Sequence, residues 1–174
     1  MLRNISLIFF AFVITHGAFS QNFYDVDNVR EIKIYFYENN WDHLLDSLYI
    51  AGDEERLVAN LEIDGNQYDS VGIRYKGFSS VSINTIKNPF NIKLDYIDNN
   101  QNHEGFKKIK LSNVIKDPSF IREVYSYEIA RDYMPSPRAN YANVFINDTL
   151  WGLYVNVEAI NDKFTNKHYA SVNS

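Results

Sequence analysis

The sequence predicts an α+β fold, an antiparallel sheet with one long helix packed on it. Three observations carry this expectation. Apolar and polar residues alternate over residues 29–36, 89–97 and 106–111, which is the period of a half-buried strand. Asp64-Gly65 and Asn147-Asp148 each separate two strand-like stretches, and such dipeptides turn a hairpin. Asp117-Pro118 opens the longest helical pattern, with Asp as N-cap and Pro at the first helical position.

The elements follow in order. Residues 29–36 (VREIKIYF) read as a strand. Asn39 or Asn40 caps a short helix over 41–49, with Trp41, Leu44, Leu45 and Leu48 on one stripe. Residues 57–63 and 67–76 form a hairpin about Asp64-Gly65. A polar loop, 78–87, precedes a strand at 89–97 that Asp98-Asn99-Asn100 closes. Another alternation, FKKIKL, spans 106–111. The helix begun at Asp117 runs to about Tyr133 and stops before Pro135-Ser136-Pro137. Residues 139–146 and 150–157 make a second hairpin, and a last helical stretch begins near Asn161. Strands, then one helix, then strands suggest a helix laid on one face of the sheet.

Composition narrows the function classes. The chain has 174 residues, 17 Lys+Arg against 22 Asp+Glu, and a formal net charge of −5. No basic run stands out, which argues against nucleic acid as a partner and against a polybasic membrane patch. With no Cys, disulfides, Cys-based zinc sites, iron–sulfur clusters and Cys nucleophiles are excluded. Aromatic content is 16%, mostly Tyr and Phe, and favours a sheet-rich core.

Residues 1–20 read as a secretory signal. Arg3 supplies the positive start, ISLIFFAFVI the apolar run, and Ala18-Phe19-Ser20 the small residues before a cleavage point at Gln21. The apolar run is short for a membrane span. The expected mature protein is extracellular or in the cell envelope, with no membrane attachment after signal cleavage. Residues 21–70 then form a strand-helix-strand extension ahead of a second unit at 71–174.

Several generic chemistries find no support. The four His show no HExxH or other ligand spacing. Asp98 to Asn102 resembles the start of a calcium loop, but His103 stands at position six where Gly is needed and Ile109 at position twelve where Glu is needed. Asp25-Val26-Asp27 fails in the same way. GxGxxG, GxxxxGK[ST] and GxSxG are absent. One segment carries a signal. In VGIRYKGFSS, Arg74 and Lys76 share a strand face. Gly77, Ser79 and Ser80 follow with backbone N–H groups and hydroxyls able to meet an anion, so the segment reads as a phosphate cradle.

Five segments in order resemble the spore-coat CotH kinase family, secreted or coat-associated proteins with an atypical protein-kinase-like fold. They are RYKGFSS (74–80), KNPFNIKL (87–94), GFKKIKLSN (105–113), DPSFIREVYSYEIARDYMPSPRANYANVFIND (117–148) and WGLYVNVEAI (151–160). Phe78 stands where the family pattern usually has Asn. The resemblance implies a kinase-like N-lobe, with ATP and Mg2+ as cofactors and transfer of the γ-phosphate to Ser or Thr acceptors of a protein substrate.

It also implies roles. Arg74, Lys76, Gly77, Ser79, Ser80 and Lys87 are the expected ATP and phosphate contacts; Lys76, Lys87 or Lys93 would supply the cation on the phosphates. Glu123 is the expected helix carboxylate that holds it, Glu128 the runner-up, and Glu158 marks the hinge. Metal and base carboxylates belong to a second lobe after the hinge. The expectation is therefore an N-terminal portion that binds nucleotide and has no catalytic residue of its own. The competing expectation is a non-catalytic secreted β-rich module that binds glycans or protein partners. It would need several aromatics exposed on one sheet face.

Overall fold

A computed structural model describes residues 22–52 and 54–169; the signal expected on residues 1–20 lies outside them. Seven strands form a closed barrel. They are β1 (Arg30–Phe36), β2 (Leu57–Ile63), β3 (Asn66–Tyr75), β4 (Phe90–Lys93), β5 (Lys108–Ser112), β6 (Ala139–Ile146) and β7 (Thr149–Val157). Helices α1 (Trp41–Ala51), α2 (Arg122–Arg131) and α3 (Asp162–His168) decorate it. Around the wall the order is β1-β2-β3-β4-β5-β7-β6. All neighbours run antiparallel except β1 and β6, which pair in parallel from Arg30 opposite Ala142 to Ile34 opposite Ile146.

The expected α+β sheet with one long helix is thus corrected to a closed, mixed β-barrel with three short helices. Two physical causes underlie the difference. The β1–β6 pairing joins what would have been the two edges, and a closed barrel leaves none exposed. The helix expected from Asp117 is cut short at its start. The Asp117 carboxylate accepts from the backbone N–H groups of Ser119 and Arg122, so it caps a turn. Phe120 then takes a left-handed φ of +60°, a conformation that no helix continues through. Only the ten residues from Arg122 to Arg131 are helical.

Alternation puts the core inside the barrel. Ile32, Ile34, Leu61, Ile63, Ile73, Ile92, Ile109 and Tyr154 are buried there. Both hairpins turn through paired left-handed residues, Asp64 and Gly65 at φ 48° and 84°, Asn147 and Asp148 at φ 45° and 65°, the type I′ geometry that suits strand twist. The helix α1 covers one mouth, its Trp41 stacked on Phe36 at 4.9 Å and edge-on to Trp151 at 5.3 Å. The other mouth is sealed by the segment before β1. Phe23 is buried there against His103 and Phe106. Asn140 donates to the carbonyls of Phe23, Asp25 and Asn28. Outside the barrel, α2 packs Val124 on Ala139, Val155 and Val157. Among the described residues no helix is long and apolar enough to cross a membrane.

Candidate nucleotide-phosphate site

The phosphate-cradle residues gather beside the mouth that α1 covers. β3 ends at Tyr75, and Lys76 stays tied to the sheet because its N–H donates to the Pro89 carbonyl at 3.0 Å. The chain then turns at Gly77, which has φ +92°. A Cβ there would meet only the Ser80 side chain, whose hydroxyl can rotate away, so it is the backbone conformation that asks for glycine. Asn113 fastens the far side of the loop. Its side-chain amide donates to the carbonyls of Ser80 and Lys87, each at 2.9 Å.

Lys76 and Glu123 meet through a third residue. Lys76 Nζ donates to Ser112 Oγ at 2.9 Å, and that hydroxyl donates to Glu123 Oε1 at 3.3 Å. β3, β5 and α2 each supply one member of this chain. Burial pushes the Lys76 ammonium below its ordinary pKa, while the Glu123 charge acts in the opposite direction. A cavity of about 310 Å³ opens in front, lined by Ser79, Ser80, Ser112, Asn113 and Glu123 among others. Ser79, Ser80 and Ser112 bring three hydroxyls to that cavity, Lys116 and Arg122 bring positive charge, and Asp117 and Glu123 bring carboxylates, while Lys76 lines the neighbouring cleft with Arg74 and Gly77.

The remaining expected contacts sit apart from this chain. Arg74 shares the outward face of β3 with Lys76, yet its guanidinium pairs with Glu54 at 3.1 Å. Lys87 lies in an adjoining cavity of about 330 Å³. Its ammonium stands 4.8 Å from the ring centre of Phe120 and 5.0 Å from that of Tyr154, and burial lowers its pKa. Glu128 pairs with Arg131 on its own helix. Glu158, at the far end of β7, is 3% exposed. It accepts from the Arg138 backbone N–H at 3.1 Å and from two guanidinium nitrogens at 3.0 and 2.9 Å, and its own N–H donates to the Arg138 carbonyl.

Sequence reasoning passed over Ser112 and Asn113. Both belong to the segment GFKKIKLSN, and the one available signal was their place at the end of an alternating strand. The donor set does not fit a magnesium ion. Glu123 offers one carboxylate, already engaged by Ser112. Asp117 is taken up by Ser119 and Arg122. Among the described residues no three His, Cys, Asp or Glu side chains come together to hold a metal.

The family model described as CotH kinase protein matches residues 73–174. No curated protein matches the chain. The match takes in the end of β3, the Gly77–Ser80 loop, Ser112, α2 and Glu158, and it covers more than half of the chain. By that extent of agreement the chain belongs to the CotH kinase family.

Proposed function

We propose that this chain is the nucleotide-facing portion of a secreted CotH-like protein kinase, which passes the γ-phosphate of ATP to Ser or Thr hydroxyls of secreted or coat proteins. The observation that carries the reading is the Lys76–Ser112–Glu123 chain, whose serine and glutamate share one cavity with Ser79 and Ser80 while Lys76 lines the neighbouring cleft with Gly77. Phosphoryl transfer asks mainly for positioning and for stabilisation of charge on the phosphate oxygens. Lys76 supplies the positive charge. Glu123, acting through the Ser112 hydroxyl, fixes the position of the ammonium. The Gly77–Ser80 loop offers N–H groups and hydroxyls to phosphate oxygens. MgATP enters as the substrate complex, the ion held by the nucleotide's own phosphates. The part assigned to the described residues is to bind and orient that nucleotide, and no proton-accepting base is assigned among them.

Exposed aromatics speak against the glycan-binding alternative. Tyr37, Phe78, Tyr125, Tyr133 and Tyr169 are exposed, but none lies within a strand. They form no platform on one sheet face.

The test uses protein recovered from the growth medium, whose first residue is expected to be Gln21. MgATP binding is titrated by calorimetry in the wild type, Lys76→Met and Glu123→Gln. Each variant is expected to bind at least tenfold more weakly while melting within a few degrees of the wild type. Undiminished binding in both variants would overturn the assignment.

A further inference from the structure

Cations dominate the outer wall formed by β3, β4 and β5. Arg74 and Lys76 point outward from β3 and its end, Lys93 from β4, and Lys108 and Lys110 from β5. The register sets Lys93 directly opposite Lys108, and Asn91 opposite both Arg74 and Lys110. Like charges facing each other across two strands destabilise a sheet. Glu54 pairs with Arg74 and Asp95 with Lys107, and the other cations are left over. Among the described residues, Lys93, Lys108 and Lys110 form no ion pair. Burial, and Lys108 beside it, push the Lys110 ammonium down. This concentration of positive charge occurs in a chain of net charge −5, so it is a local feature against the overall sign.

The wall is grooved. Arg74, Lys76 and Lys110 line one cleft of about 460 Å³, and Lys93, Lys107 and Lys108 line another of about 330 Å³. Tyr96 rests between them on Gly72, where an added Cβ would meet the ring at 2.5 Å. The Lys93 ammonium stands 6.0 Å from the same ring. Carboxylates line the clefts as well, Glu54 and Glu55 the first, Asp95 and Asp162 the second.

We propose that this wall docks a short, extended acidic segment of a protein partner. Lys108 and Lys110 are two residues apart on one strand, so their side chains leave the wall at points about 6.7 Å apart. That is also the repeat of alternate side chains along an extended peptide. The carboxylates within the clefts interrupt the positive strip and favour a short segment. A long polyanion such as nucleic acid would run past the clefts and into the repulsion of a net negative protein. A lipid surface is flat, whereas these cations sit in grooves. The docking wall goes beyond the kinase reading: it shares Lys76 with the nucleotide site at one edge, but Lys93, Lys108 and Lys110 lie outside the cavity lined by Ser79, Ser80, Ser112 and Glu123.

The experiment measures anisotropy of a fluorescent hexaglutamate peptide with the full chain at low salt. The peptide is expected to bind, to weaken as salt screens the charges, and to bind at least tenfold more weakly to the double variant Lys108→Glu, Lys110→Glu. The control Lys167→Glu, at the end of α3, is expected to bind like the wild type. Equal binding by the double variant, judged by circular dichroism to be folded, overturns the proposal. So does tighter binding of a single-stranded DNA of equal charge or of phosphatidylglycerol vesicles. Displacement of the peptide by saturating MgATP also overturns it, since the wall would then belong to the nucleotide. Peptide binding that persists in a chain failing to bind MgATP supports the dock and sinks only the kinase reading.

Discussion

The two ends of the barrel each set a cation near a carboxylate, and they treat the pair differently. Where β7 runs out, Arg138 grips Glu158 through two guanidinium nitrogens and its own backbone N–H. The rings of Tyr24 and Phe106 lie 5.3 and 5.4 Å from the guanidinium carbon, so the pair is enclosed as well as satisfied. At the opposite end Lys76 and Glu123 do not touch. A hydroxyl stands between them and a cavity lies in front. The contrast separates two uses of the same chemistry. A carboxylate whose acceptors are filled by one guanidinium fastens strands together. A cation held by a single hydroxyl keeps hydrogen-bonding capacity for something that arrives from solvent.

The sharpest way to break this comparison is to cut the enclosed pair. Arg138→Ala leaves Glu158 buried without a cation, and losing one partner of a buried pair is expected to cost on the order of 3 kcal/mol, or roughly 9 °C in melting temperature for a domain of this size. The pH dependence gives a second handle on the same pair. Burial acts to raise the Glu158 pKa, but the bonds from Arg138 outweigh it and hold the carboxyl below its ordinary value. A carboxyl held lower in the folded than in the unfolded chain adds stability above the ordinary carboxylate range, and that stability is lost as pH falls through the folded value. Glu158→Gln is therefore expected to flatten this part of the acid melting profile. An acid profile identical to the wild type's would mean that the pair fastens nothing.

A smaller effect is expected at the open end. Ser112→Ala removes the hydroxyl that both accepts from Lys76 and donates to Glu123. Net loss is expected near 1 kcal/mol, the usual worth of such a bond once water has competed for it, read as a shift in the urea midpoint at unchanged slope. MgATP affinity is expected to fall with it, because the Lys76 ammonium is no longer fixed in position. A loss of stability as large as that of Arg138→Ala would erase the distinction between the two ends.

How much of this was legible in the sequence follows from how local each feature is. The strands and both hairpins were readable because alternation and the Asp64-Gly65 and Asn147-Asp148 turns are encoded in adjacent residues. Barrel closure was not, since the β1–β6 pairing joins segments more than a hundred residues apart, and no short pattern announces a parallel partner. The long helix was over-read for a related reason. Asp117-Pro118 has the chemistry of a helix start, but Ser119 and Arg122 draw the Asp117 carboxylate into a turn, and nothing in the identity of Phe120 reveals its left-handed backbone. In the site, Ser79, Ser80 and Glu123 line one cavity, and Lys76 reaches Glu123 through Ser112. Arg74 and Lys87 lie to either side, each with its own surroundings, Glu54 for one and two aromatic rings for the other. Ser112 was invisible, because a serine closing a strand has no chemical signature until the fold places a lysine and a glutamate on either side of it.

The smallest effect on stability is expected from Lys76 itself, and its sign is the most informative. The ammonium is largely withdrawn from water and, among the described residues, holds only the Ser112 hydroxyl in return, so burial lowers its pKa. Methionine has a similar length and no charge to desolvate. Lys76→Met is expected to leave thermal stability unchanged or slightly raised at neutral pH, within about 1 kcal/mol. A Lys whose folded pKa lies below its unfolded one costs stability while it is charged, and the cost is relieved as pH rises through the folded value toward 10.5, because the unfolded chain then binds more protons than the folded one. Any advantage of the variant should therefore shrink between neutral pH and pH 10. A variant that loses as much stability as Arg138→Ala, with no pH dependence, would make Lys76 a strut like Arg138, and the open end of the barrel would lose its claim to be a binding site.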